Sequence, residues 1–295
     1  MKDLILLGAS GQLGQEWQQI LDKEDFSQFN IAAYDSDQLD LTDKHKLAEV
    51  LQERNPDVVV NCAAYTKVDE SEKHIKQAET VNVKAVAELA RLSEELNFKL
   101  LHYSTDYIFP GGEEDKQRFP KGYTEDHPAD PINKYGETKW KGEQAIRDNT
   151  DNYLIIRVSW LCGQFGSNFV KTMLKLGKER STLQVVDDQW GSPTFTTNVV
   201  ENCINLLYRE VKGTYHLTSE GLITWYEFAR AIFDKAGVEV KVEPVSSDQF
   251  ETMADRPHYS KLCTDKIEAV PGSNVINWNQ GLDNLLSQLD SLSRL

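Results

Sequence analysis

An α/β fold built on a doubly wound parallel sheet follows from three features of this sequence. Short continuous apolar runs, such as Leu4-Ile5-Leu6-Leu7 and Val58-Val59-Val60, have the pattern of strands buried on both faces. Segments with apolar residues at helical spacing alternate with them, so the first half of the chain reads β-α-β. The first run also meets glycine at once, in Gly8-Ala9-Ser10-Gly11-Gln12-Leu13-Gly14, where a strand hands over to a helix.

With 295 residues, 40% hydrophobic and 27% charged, the chain has material for one large domain or two modest ones. A net charge of −15 and a pI near 4.9 argue against nucleic acid or an anionic membrane as partner. A small anionic ligand stays open, because it needs only local donors. The four cysteines, Cys62, Cys162, Cys203 and Cys263, form no C-x-x-C pair and fit reduced thiols better than disulfides or a zinc site. The N-terminal apolar run is too short for a signal peptide, and no later run approaches the roughly 20 apolar residues of a membrane span. The composition therefore points to a soluble, cytoplasmic protein.

Leu4–Leu7 is the first strand, and Leu13, Trp17, Ile20 and Leu21 share one face of the helix after it. The glycine spacing between them suits dinucleotide phosphates. Gly8 permits the tight turn, Gly11 lets a pyrophosphate approach the backbone, and Gly14 lets helix and strand pack closely. The helix start, with Ser10, Gln12 and Leu13, supplies N–H donors and a positive dipole end. Framed by strand and helix, the motif predicts a Rossmann-like dinucleotide site.

Asn30–Tyr34 reads as the second strand and runs into Asp35, about 20 residues past the glycines, where a carboxylate accepts from the adenosine ribose hydroxyls. A carboxylate there repels a 2′-phosphate and no Arg follows at once, which leans towards NADH or dual use rather than strict NADPH. The competing reading is a solvated loop acid. Asp40-Leu41-Thr42-Asp43 begins a helix with Thr42 or Asp43 as cap, and in this fold class Asp40 and Leu41 commonly flank the adenine. Asp57–Asn61 is another buried strand. The small residues after it, Cys62-Ala63-Ala64 ahead of Tyr65 and Thr66, leave room for a cofactor. A helical pattern then runs from about Ser71 to Leu96 and contains Asn82.

Phe98–His102 is the fourth strand, and Tyr103-Ser104-Thr105-Asp106-Tyr107 closes it where ligands sit in such sheets. Adjacent residues point to opposite faces, so one of Ser104 and Thr105 reaches the site. Gly111–Pro131 is a polar loop able to cover it. In Asn133-Lys134-Tyr135-Gly136-Glu137-Thr138-Lys139, Tyr135 and Lys139 lie one turn apart on a helix face. A cation beside the phenol lowers its pKa from about 10 and suits it to proton transfer at a carbonyl or hydroxyl. The same spacing is common on amphipathic helices; the glycine turn and the strand-end hydroxyls give it weight here.

In this order and spacing, the glycine motif, Asn61-Cys62-Ala63-Ala64, Ser104-Thr105-Asp106-Tyr107 and Tyr135-x-x-x-Lys139 resemble the extended short-chain dehydrogenase/reductases. Ser159-Trp160, Asn168-Phe169, Asp188–Thr194 and Arg256-Pro257 are similar to the branch acting on dTDP-linked 4-keto sugars, and the resemblance spans essentially the whole chain. It implies reduction, with NADPH or NADH, of the C4 ketone of dTDP-4-dehydro-L-rhamnose to dTDP-L-rhamnose, the last step in making that sugar donor. Tyr135 is then the proton donor, Lys139 lowers its pKa and holds the nicotinamide ribose, and Thr105, preferred to Ser104, hydrogen-bonds the same oxygen. The resemblance also assigns Thr66, Val68, Asp106, Tyr107 and Trp160 to the substrate, with Arg256 on its diphosphate.

Some relatives hold Mg²⁺ at a dimer interface. Glu16 matches one such ligand, but Thr197 stands where a second acid is expected, so a metal-bridged dimer is in doubt and a monomer or plain homodimer remains open. Lys67 lies beside the expected substrate wall, either on phosphate or exposed. A sugar-nucleotide 4,6-dehydratase would need Glu after Asp106, and the chain has Tyr107. A non-catalytic cofactor-binding subunit, resembling the beta subunit of methionine adenosyltransferase, is the other alternative; intact Thr105, Tyr135 and Lys139 favour an enzyme.

Beyond Tyr153–Val158 the alternation fades. Helices are expected near Asn168–Glu179, Thr197–Glu210 and Thr224–Ala236, a returning strand at Thr214–Leu217 and an edge strand at Val238–Val245. The expected division is a cofactor domain over residues 1–160, completed near 195–218, and a smaller α/β substrate lobe from 161–194 and 219–295.

Overall fold

The computed structural model describes residues 2–22, 28–250 and 252–293; the extreme ends of the expected domain ranges lie outside these. Six strands form one sheet: β1 (Lys2–Leu7), β2 (Phe29–Tyr34), β3 (Val58–Asn61), β4 (Lys99–Thr105), β5 (Tyr153–Val158) and β6 (Gly213–His216). Their order is β6-β5-β4-β3-β1-β2, and every adjacent pair is parallel. The chain leaves β1 to one side for β2 and to the other for β3, so a crevice opens beyond the carboxyl ends of β1 and β3.

Burial explains the apolar runs. All of β3 and nearly all of β4 are buried, and alternate residues feed two cores. Leu4, Leu6, Val58 and Val60 pack with residues of α1 (Gln12–Leu21) on one face. Ile5, Leu7 and Val59 pack with α2 (Lys44–Arg54) and α3 (Val86–Leu96) on the other. Along that second face lies α4 (Lys134–Asn149), whose Ile146 joins the same core. A separate core joins α5 (Phe169–Glu179), α7 (Trp225–Ala236) and α8 (Trp278–Ser293) to a parallel strand pair, Thr182–Val186 with Lys241–Val245. Between these bodies, α6 (Thr196–Tyr208) lies against α1 through the first core.

Three local expectations are corrected. The helix expected over about Ser71–Leu96 is broken into Val68–Lys73, Ile75–Glu79, a π-helical stretch Thr80–Ala85, and α3. His74 leaves the helical region, and the wide π turn brings the Asn82 carbonyl so close to Gly142 of α4 that a Cβ there would meet it at 2.3 Å. The edge strand starts at Lys241 because left-handed Gly237 caps α7 and the Val238 N–H donates back to Phe233 O. The Gly111–Pro131 segment is no free cover. Tyr123 is fully buried in it, donates to Asp115 Oδ2 at 2.6 Å, and packs with Phe109, Tyr259 and Leu262.

Candidate active site

The glycine turn, the ends of β3 and β4 and the start of α4 enclose a cleft of about 460 Å³. Gly11, Gln12 and Leu13 line one side; Ala64, Thr66 and Val68 follow from β3, and Thr105, Asp106 and Tyr107 from β4. Tyr135, Lys139 and Trp160 complete the wall. Lys67 is exposed and outside this lining.

The glycines differ in what they permit. Gly8 has φ +77°, and a Cβ on it would meet Ala63 N at 2.7 Å. A Cβ on Gly14 would meet Gly8 O at 2.2 Å, so that glycine lets α1 rest on the turn. At Gly11 a Cβ finds only Gly8 O, at 3.3 Å, and the backbone otherwise faces open space. The first turn of α1 carries no acid to neutralise its positive end. This cradle fits a dinucleotide pyrophosphate. Exposed Ser10 flanks it, and Gln12 is tied to the far wall by Asn168, whose amide donates to Gln12 Oε1 at 3.0 Å.

Asp35 stands beside the turn, because the Ala9 N–H donates to Tyr34 O at 3.0 Å. Its Oδ1 accepts the amides of Asp37 and Gln38, at 3.0 and 3.1 Å. Asp40 is exposed and accepts from Thr42, while Leu41 is buried in the core with Ile5 and Leu7. None of Asp35, Asp40 and Leu41 lines the cleft. The Asn82 side chain is wholly engaged: Oδ1 accepts the Tyr65 N–H at 2.8 Å, and Nδ2 donates to Tyr65 O and Thr138 Oγ1. It holds the Ala63-Ala64-Tyr65 segment in place.

Asn133 caps α4, its Oδ1 accepting the Gly136 N–H at 2.8 Å. Gly136 lets the helix start lie on the Tyr107 carbonyl, 2.1 Å from where a Cβ would stand. Tyr135 is thereby held edge-on to Tyr107, ring centroids 5.6 Å apart, within hydrogen-bonding reach of Thr105. Ser104 also borders the cleft, but its buried hydroxyl has no hydrogen-bond partner among the described residues. Of the two hydroxyls, Thr105 meets the phenol.

Lys139, buried one turn further on, has Nζ 2.7 Å from Tyr103 O and 3.0 Å from His102 Nε2. Burial brings its amine down to about 8 against the pull of Glu143. Tyr135 moves the other way: burial and the Asp106 carboxylate raise it above the ordinary phenol range, and Thr105 offsets only part. The expected lowering of Tyr135 by Lys139 is therefore absent here, since the amine is directed to β4. The phenol keeps its proton, the form that a donor needs. Asp106 is raised to about 6 by burial; Thr105 donates to its Oδ1 at 2.9 Å, and its Oδ2 finds no partner among the described residues.

A second cavity, about 740 Å³, adjoins the cleft and is lined by Tyr107, Gln189, Trp225, Phe250, Arg256 and His258 among others. Tyr107 belongs to both spaces, and Trp160 and Trp225, stacked at 3.5 Å and 9°, contribute one ring to each. Trp160 takes a left-handed φ of 45°, a strained conformation of the kind found at functional sites. Arg256 donates to Asp69 Oδ2 at 2.7 Å and to the Tyr107 hydroxyl at 3.1 Å, so its fork is oriented before any ligand arrives. Trp225 packs against the third core as well as lining this cavity, whereas Ile132 and Phe250, apolar residues left exposed at it, gave no sign in the sequence. Irregular backbone carries both, with no periodic signal.

Glu16 does not fit a metal ligand. It is buried, and its two carboxylate oxygens accept from Thr196 and Thr197 at 2.8 Å each. Among the described residues, no group of three or more His, Cys, Asp or Glu side chains is arranged for a metal ion.

A family model, the RmlD substrate binding domain, matches residues 1–291. The chain belongs to this family. Among similar proteins, a dTDP-4-dehydrorhamnose reductase of Aggregatibacter actinomycetemcomitans is 35% identical over 97% of this chain and 98% of its own. A dTDP-4-keto-6-deoxy-D-glucose reductase of Streptomyces niveus is 36% identical over 94% of each. A crystal structure of dTDP-4-dehydrorhamnose reductase from Bacillus anthracis, in complex with NADP, aligns with a TM-score of 0.92 at 37% identity, covering 97% of this chain and 99% of that one. The RmlD-family assignment agrees with the resemblance read from the motifs. Among the described residues, no helix is long and apolar enough to cross a membrane.

Proposed function

We propose that this protein reduces the C4 ketone of dTDP-4-dehydro-L-rhamnose to dTDP-L-rhamnose with NADPH or NADH. The observation that carries the reading is the meeting of Thr105 and a protonated Tyr135 at one cleft, beside the open Gly11 cradle. A reduced nicotinamide supplies the hydride when bound. Tyr135 gives its phenolic proton to the ketone oxygen, the Thr105 hydroxyl holds that oxygen, and Lys139 sits one turn behind. Tyr107 packs on Tyr135 where a dehydratase would carry an acid, so reduction is favoured over elimination.

The neighbouring cavity suits the nucleotide end of the substrate. Arg256 offers its fork to the diphosphate, and the stacked Trp160–Trp225 pair with Phe250 offers flat apolar surface to base or sugar. Thr66, Val68 and Asp106 take the sugar side. On this reading Asp35, Asp40 and Leu41 serve the adenosine half of the cofactor. Residues 1–160 with 195–218 form the cofactor domain, and 161–194 with 219–295 form the substrate lobe.

The test is incubation of purified protein with dTDP-4-dehydro-L-rhamnose and either reduced cofactor. Loss of nicotinamide absorbance with formation of dTDP-L-rhamnose is expected. No oxidation of either cofactor would instead favour the regulatory-subunit reading.

A further inference from the structure

Beneath Lys139 runs a buried chain of polar groups whose donors and acceptors can be assigned without ambiguity. It starts at the Ala63 backbone N–H, which can only donate, 3.0 Å from Asn61 Oδ1. That contact fixes which end of the Asn61 amide is oxygen, so Nδ2 faces His102 Nδ1 at 3.0 Å and must donate to it. His102 is fully buried, and burial above all pushes its pKa well below the usual imidazole range, so the ring is neutral. A neutral ring accepting at Nδ1 carries its proton on Nε2. Nε2 lies 3.0 Å from Lys139 Nζ. An ammonium has no lone pair and cannot accept from it; a neutral amine accepts from Nε2–H and still donates to Tyr103 O at 2.7 Å. Only the neutral amine leaves every buried group in the chain satisfied.

We propose that Asn61 and His102 are positioning residues that favour the neutral amine of Lys139 over its ammonium in the cofactor-free protein. In that form Lys139 is a proton acceptor, and its charge is favoured again when other acceptors surround it. The remaining ionisable groups near it do not reverse this. Glu143, one turn further along α4, favours the charged amine, but Arg157 holds that carboxylate at 2.8 Å and Arg147 at 2.7 Å. Asp106 shares the cleft and faces Thr105 and Tyr135; Tyr135 and Cys62, also in the cleft, are both raised by burial and stay neutral. The Tyr103 hydroxyl is turned to Trp17 and Cys203. The absence of a nearby ammonium charge agrees with the phenol keeping its proton. The inference deepens the role of Lys139 in the proposed reduction, but its test uses the free protein and is independent of whether the ketone is reduced.

The experiment is ¹⁵N NMR of the full chain without cofactor, labelled at His and Lys, across about pH 6 to 10. The expected result is a linked change: above about pH 8 His102 is protonated on Nε2 alone and Lys139 is neutral, and as Lys139 takes up its proton near pH 8, at least tenfold less readily than exposed lysines, the His102 proton leaves Nε2. A proton on His102 Nδ1 above about pH 9, or Lys139 titrating with the surface lysines, overturns the proposal. Asn61→Asp provides the converse, because a carboxylate accepts from Nδ1–H and frees Nε2 to accept from an ammonium. Lys139 should then lose its proton at least tenfold less readily, whereas an unchanged Lys139 titration in folded Asn61→Asp also overturns the proposal. If that variant does not fold, His102→Gln, which offers Lys139 a carbonyl, is expected to shift the titration the same way, and the wild-type tautomer decides by itself.

Discussion

One proton on Tyr135 and one on Asp106 set most of the chemistry at this site. Tyr135 is half-buried at the cleft with its hydroxyl protonated, so removing the hydroxyl should leave the fold and the cofactor cradle intact. Tyr135→Phe is expected to bind NADPH normally and to lose roughly 10²–10⁴ in kcat; turnover within a few fold of wild type would remove Tyr135 as the donor. Asp106 makes a prediction about stability. Its pKa rises from 3.8 to about 6 on folding, so the folded state binds the proton more tightly than the unfolded chain. The stabilisation from that proton is complete below the unfolded value and is lost as pH rises through about 6. Asp106→Asn removes the buried charge and should be more stable than wild type at neutral pH, by on the order of 2 kcal/mol. The difference should shrink towards pH 4 in urea titrations, and an equal loss of stability at both pH values would contradict the argument. Glu143 has the opposite sign, since Arg157 and Arg147 hold its pKa down despite burial.

Among the elements, those that repeat were legible and those that bend were not. β1, β3, β4 and α1 announce themselves because burial on both faces demands continuous apolar runs and the glycine turn marks the junction of β1 with α1; β2, at the sheet edge and buried only at Phe29, is marked by its place after α1. The cleft's Gly11, Thr105, Tyr135 and Lys139 were legible for the same reason: each sits at a strand end or helix start with a fixed geometry. The π stretch at Thr80–Ala85 was not, because the contact it makes, between Asn82 and Gly142, joins positions 60 apart in sequence by their numbers. Nor were Phe250 and His102, one on irregular backbone and the other inside an ordinary apolar strand. The glycine turn allows a test that separates packing from binding. Gly14→Ala forces a Cβ to within 2.2 Å of Gly8 O and 2.8 Å of Ala9 Cα, so it should cost about 1–3 kcal/mol of stability as well as cofactor affinity. Gly11→Ala meets protein only at 3.3 Å, so it should melt near wild type in the absence of cofactor and lose most of the shift that NADPH produces. Thermal melts with and without NADPH distinguish the two; similar destabilisation of both free proteins would mean that Gly11 serves packing too.

For the whole molecule, the net charge of −15 works against both anionic ligands of the proposed reaction. A nucleotide diphosphate approaching from solvent meets net repulsion over a Debye length of about 10 Å at 0.1 M salt. It is attracted only near the end of its path, where Arg256 stands between Asp69 and Tyr107. The large cavity itself carries Asp248 and Asp255 beside that arginine, so the local field does not cancel the global one. Added salt screens the long-range repulsion more than the short-range contact. We therefore expect kcat/KM for the dTDP-sugar to rise by about two- to tenfold between low and physiological ionic strength. Arg256→Gln should raise KM at least tenfold with a smaller change in kcat, because a neutral amide cannot replace a bidentate guanidinium on phosphate. The same variant should keep the upward salt dependence, since it leaves the overall charge slightly more negative. A kcat/KM that instead falls with salt in wild type, and flattens in Arg256→Gln, would show that the arginine's local attraction controls association and that the acidic surface has little influence on it.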